Sequence, residues 1–177
     1  EWMSENLRTS KYSDGNFIPN VTDGGQWANL STGAWCNYNN SSTNDATYGK
    51  LYNWYAVNTN KLCPTGWHVP TDADWTVLTY YLTANGHDGL ALKSDSGWIS
   101  GNGTDDYGWN GLPGGYRISD GGDFYGIVFK GYWWSSSQTN PAGGAWARHL
   151  ISYGPNMIVF REPYENFCGF SVRCLRD

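Results

Sequence analysis

Apolar residues along this chain change period once. Between residues 48 and 58, Leu51, Trp54 and Tyr55 fall at i, i+3 and i+4, the spacing of one helical face, and predict a short helix. A second helix is predicted over residues 71–84. There Trp75, Leu78 and Leu82 share a face, Thr71 stands at the N-cap with Asp74 three residues on, and Gly86 follows as a stop. Asp72 and Asp74 also suit the positive end of that helix. Beyond residue 90 the helical period is lost. Short runs at 132–134, 145–151, 157–160 and 170–175 read as strands, and glycines break up residues 97–126 into loops between short strands. Residues 1–47 read as irregular, with a polar surface loop at 37–45. Two short helices followed by a loop-rich antiparallel half make an α+β domain, expected to fill residues 1–177.

Composition changes what the core is made of. Leu, Ile, Val and Phe are scarce, whereas 11 Trp and 13 Tyr stand among 177 residues. Each aromatic buries a large area, so the core is expected to be aromatic. The net charge is −5, and the 11 Lys and Arg are scattered, which argues against nucleic acid as a partner. No run of apolar residues is long enough to span a bilayer.

Four cysteines, Cys36, Cys63, Cys168 and Cys174, suggest disulfides and an oxidising compartment. Cys168 and Cys174 bracket a predicted strand, and six extended residues span roughly 20 Å. A disulfide needs Cα atoms about 5.5 Å apart, so this pair is disfavoured, and Cys36–Cys63 with it. Two pairings remain: Cys63–Cys174 with Cys36–Cys168, or Cys36–Cys174 with Cys63–Cys168. The spacing of His68, His87 and His149 and the lack of a C-x2-C pair argue against zinc.

Six segments occur in order: Trp2-Met3-Ser4-Glu5-Asn6-Leu7, Tyr48-Gly49-Lys50-Leu51-Tyr52-Asn53-Trp54-Tyr55-Ala56-Val57, Leu62-Cys63-Pro64-Thr65-Gly66-Trp67-His68-Val69-Pro70-Thr71, Leu112-Pro113-Gly114-Gly115-Tyr116-Arg117, Gly131-Tyr132-Trp133-Trp134-Ser135-Ser136 and Gly169-Phe170-Ser171-Val172-Arg173-Cys174. Together they resemble the Fibrobacter succinogenes major paralogous domain, found in secreted and surface proteins of Bacteroidetes and Fibrobacteres. That family in turn resembles the C-type-lectin-like fold of formylglycine-generating enzymes and retroelement variable proteins. The resemblance implies a small twisted sheet with long loops. It also implies a Cys63–Cys174 disulfide closing the fold, with Cys36–Cys168 as the second bridge. The family's strand before Trp2 has no counterpart here, so the expectation is a piece of a longer extracellular or surface protein.

Candidate chemistry is thin. Ser135, Ser136 and Ser137 lack a Gly-x-Ser-x-Gly elbow and are expected to form a turn. Oxidase chemistry of the formylglycine-generating type needs two reduced, accessible thiols, and Cys36 and Cys168 are the candidates. Calcium is the cofactor that Thr104-Asp105-Asp106 and Ser119-Asp120-Gly121-Gly122-Asp123 would suit. Each loop supplies two carboxylates where calcium takes six or more oxygens, so no cofactor is expected. Aromatics beside Arg and Asn suit sugar rings and hydroxyls. Tyr125, Trp146, Arg148, Tyr153, Asn156 and Arg161, with Trp109 and Arg117 at the edge, are the expected binding face. The functional expectation is a non-catalytic extracellular module for glycan. The alternatives are an adhesive or structural domain that binds protein in a surface assembly, and a formylglycine-generating-type oxidase. A groove of aligned aromatics would favour glycan, and a broad flat apolar patch a protein partner.

Overall fold

The computed structural model describes residues 1–118, 120–140, 143–153 and 157–177. In chain order its elements are α1 (Gly24–Ala28), β1 (Trp35–Cys36), α2 (Ser42–Tyr48), β2 (Leu51–Tyr52), α3 (Trp54–Val57), β3 (Trp67–His68) and α4 (Asp72–Ala84). Then come β4 (Gly114–Arg117), β5 (Phe124–Ile127), β6 (Lys130–Asn140), β7 (Gly144–Ile151), β8 (Phe160–Tyr164) and β9 (Leu175–Arg176). The chain is therefore α+β. The largest sheet runs β5-β4-β6-β7-β8, antiparallel except for the parallel β4–β6 pair, and β1–β2 and β3–β9 form two small ribbons.

Helix α4 forms where capping and spacing predict it. The Thr71 hydroxyl accepts from the Asp74 amide at 3.1 Å, and the Asp74 carboxylate accepts from the Thr71 amide at 2.9 Å. Gly86 ends it at φ +75°, a conformation costly for any residue with a Cβ. The helix expected at 48–58 is cut down to α3. Tyr52 is held extended by exchanging backbone hydrogen bonds with Phe170, and Asn53 caps the next turn by accepting from the Ala56 amide. Long-range pairing overrides local period here. The expected loop at 37–45 is instead a 3-10 turn followed by α2. Of the run at 157–160, only Phe160 lies in a strand. The run at 170–175 touches its neighbours through isolated bridges before β9.

Strands alternate their side chains between two faces. On one face of β6–β7, Trp133 and Leu150 meet Trp75 and Leu82 of α4 in an aromatic-rich cluster. On the other face Tyr132, Trp134, Ala145 and Ala147 join Tyr52, Trp54, Phe170 and Cys174. The three serines after Trp134 make an irregularity in β6. Ser135 is buried and accepts the Ser137 amide, and Ser137 accepts the Asp72 amide at the start of α4.

The two ends of the chain lie side by side. Trp2 bridges Leu175, and the Arg176 amide donates to the Glu1 carbonyl. The Cys63–Cys174 disulfide ties β9 to the segment before β3. No bridge joins Cys36 to Cys168, which corrects that expectation. Cys36 packs with Trp27, Tyr38 and Leu51, whereas Cys168 belongs to the cluster around Phe170.

Candidate ligand-binding groove

Register places one ring from each strand of the large sheet in a single row. Tyr125 of β5 faces Tyr116 of β4. Gly115 is level with Gly131, so the next residues, Tyr116 and Tyr132, are neighbours. Tyr132 faces His149 of β7, and His149 faces Phe160 of β8. Ring centroids along the row lie 6.1, 4.7, 4.7 and 4.6 Å apart. The His149 and Phe160 rings are nearly parallel, 5° apart. Their faces are mostly spent on one another, so the row is a stiff floor and not a set of free platforms.

Above this floor lies a groove of about 450 Å³, within the range of small-ligand sites. Phe129, Lys130, Ile151 and Tyr153 complete its walls. Tyr153 is 67% exposed and Tyr125 47%, so ring faces remain available at the rim. Two backbone features shape the opening. Gly126 has φ +79°, and a Cβ there would come within 3.1 Å of the Tyr116 ring. Val128 holds φ +60°, an uncommon state for a β-branched residue, in the turn that presents Phe129 at the rim.

His149 is 6% exposed. Burial pushes its pKa down to about 4, so the ring is neutral near pH 7. Its Nδ1 is buried without a hydrogen-bond partner, and the nearest carboxylate, Glu162, is 3.9 Å away. Glu162, on the same face of β8 as Phe160, accepts from the Tyr164 hydroxyl at 2.7 Å. Burial likewise pushes the Tyr132 hydroxyl up to about 12.

The expected binding residues divide between this groove and the rest of the fold. Tyr125 and Tyr153 line it. Asn156 lies outside the described residues. Trp146, Arg148 and Arg161 fall on the opposite face, because strand alternation sends them toward α4. There Arg148 is buried and bonds the Asp72 carboxylate at 2.8 Å. Arg161 chelates the same carboxylate and lies 3.4 Å over the Trp146 ring. Trp109 is also buried, beneath the Arg173 guanidinium and against Trp75 and Trp133. Arg117 is buried between the Trp27 and Phe124 rings and donates to the carbonyls of Val21, Thr22 and Gly122. Trp109, Arg117 and Arg148 are thus structural, contrary to expectation. The guanidinium groups of Arg117 and Arg148 are spent inside the protein.

Sequence reasoning missed Tyr116, Phe129, Lys130, His149 and Phe160 in the groove lining. The signal that could have found His149 is the alternation of Ala145, Ala147, His149 and Ile151 opposite Trp146, Arg148 and Leu150.

Among the described residues, no group of three His, Cys, Asp or Glu side chains is placed to hold a metal ion. In the Thr104–Asp106 loop the carboxylates bond locally. Asp105 accepts the Asn110 amide, and Asp106 accepts the Thr104 hydroxyl and lies 3.1 Å from His87.

The sequence profile of the Fibrobacter succinogenes major domain (Fib_succ_major) matches residues 1–176. The chain belongs to this family. No curated protein and no solved structure matches it. In this Fib_succ_major domain the groove draws on two kinds of position. Tyr116 in its lining, like Tyr132 in the ring row behind it, belongs to the sequence motifs described above, whereas Tyr125, Phe129, Lys130 and Tyr153 at the rim lie between motifs.

Proposed function

We propose that this domain is a non-catalytic, extracellular module that binds glycan in the aromatic groove, on a C-type-lectin-like fold. The observation that carries the reading is the groove with the exposed ring faces of Tyr125 and Tyr153 at its rim. Sugar rings present C–H faces to such aromatics, and the tyrosine hydroxyls and Lys130 meet sugar hydroxyls. The disulfide supports an oxidising compartment. Adjacent chain ends, and the capped helix after the Leu62–Thr71 motif, support the fold assignment. The oxidase alternative fits the cysteines poorly. Cys63 and Cys174 are bonded to each other, and burial pushes the Cys36 thiol up to about 12, away from a reactive thiolate.

The test is a glycan array probed with the purified domain. Binding to a defined set of saccharides is the expected result, and no binding to any saccharide rejects the reading. One observation favours the protein-binding alternative: Val77, Tyr80 and Tyr81 stand exposed on the outer side of α4. If that side is the functional one, Tyr80→Ala weakens adhesion in a surface assay while Tyr153→Ala does not.

A further inference from the structure

The groove has a charge asymmetry. Lys130 pairs in register with Ile151, two residues along β6 from Tyr132, and so shares the groove face. It lines the cavity, and no carboxylate pairs with it among the described residues. No Asp or Glu lines the groove. Glu162, the acid closest to His149, is turned to the Tyr164 hydroxyl. His149 is neutral near pH 7, so Lys130 supplies the one formal charge among the residues lining the cavity.

We infer that the groove selects an anionic saccharide, a sugar ring carrying one carboxylate or sulfate, with the anion held by Lys130 and the ring lying against Tyr125 and Tyr153. The inference rests on the glycan reading and narrows it to one class. The whole chain carries net charge −5, so a general field would repel such a ligand. Preference for the anion has to come from Lys130 itself. A single ammonium is a point charge with three donors and does not demand the planar geometry that an arginine fork would. Carboxylate and sulfate therefore both fit, and the experiment separates them.

Isothermal titration at low salt compares digalacturonic acid, a 6-sulfated N-acetyllactosamine and lactose on the wild type, Lys130→Gln, Lys130→Arg and Tyr125→Ala. Thermal melting confirms that each variant is folded. At least one anionic probe is expected to bind about fivefold or more tighter than lactose, the scale of a partly exposed ion pair. Lys130→Gln is expected to erase that difference, so that the anionic probes bind no tighter than lactose, Lys130→Arg to keep it, and Tyr125→Ala to weaken every probe. Added salt narrows the gap. Equal affinity for lactose and both anionic probes overturns the charge assignment and leaves the glycan reading standing, as does a preference that survives in Lys130→Gln. If no probe binds, the charge assignment falls, while the glycan reading falls only if the array is also empty.

Discussion

His149 completes the ring floor at a cost in stability. Its ring is stacked between Tyr132 and Phe160, and its Nδ1 is buried without a partner. An unsatisfied buried group costs about 1–3 kcal/mol. His149→Phe keeps the stacking and removes that cost, so the variant should unfold at higher denaturant concentration. The pH dependence follows from the same burial. The folded-state pKa, about 4, lies below the unfolded value, so between these values the unfolded chain binds more protons. Stability is full above pH ~6.5 and falls as pH drops toward 4. Denaturant melts at pH 7 and pH 4.5 should show this loss in the wild type. His149→Phe should show a smaller one.

At the scale of elements, α4 and the sheet are locked by Asp72. Burial raises its pKa, but hydrogen bonds from Arg161 and Arg148 outweigh that and hold it below the ordinary carboxylate value. Asp72→Ala leaves Arg148 buried without its carboxylate. Breaking a buried pair in this way costs about 3–5 kcal/mol. Chemical denaturation should show a loss of that order, against a smaller loss for Arg161→Ala, whose side chain is 44% exposed. Helix α4 was legible in the sequence because its cap, face and stop are all local. The row of rings was not. Tyr125, Tyr116, Tyr132, His149 and Phe160 become neighbours only through register across five strands, which no local period encodes. Arg117 and Arg148 misled for a related reason. An arginine beside an aromatic reads the same in sequence whether its fork meets a ligand or the protein's own carbonyls and carboxylates.

For the whole molecule, the disulfide and the paired ends close the fold. Cys63 and Cys174 are 111 residues apart. In the chain-entropy treatment a loop of that length is worth about 4–5 kcal/mol. Reduction, or the double change Cys63→Ala and Cys174→Ala, should lower stability by that order. Peptide mapping without reductant should recover a fragment linking Cys63 to Cys174 and none linking Cys36 to Cys168. The family resemblance made the first bridge legible. The second expectation failed because packing puts Cys36 and Cys168 in separate clusters. The central claim is that the molecule's open aromatic groove is its binding site. It is tested most directly by titrating the strongest array glycan into wild type and the Tyr125→Ala, Tyr153→Ala double variant. The account predicts a loss of about tenfold or more, since each ring contact is worth about 0.5–1.5 kcal/mol, with melting temperature little changed. Unchanged affinity in a folded double variant would contradict it.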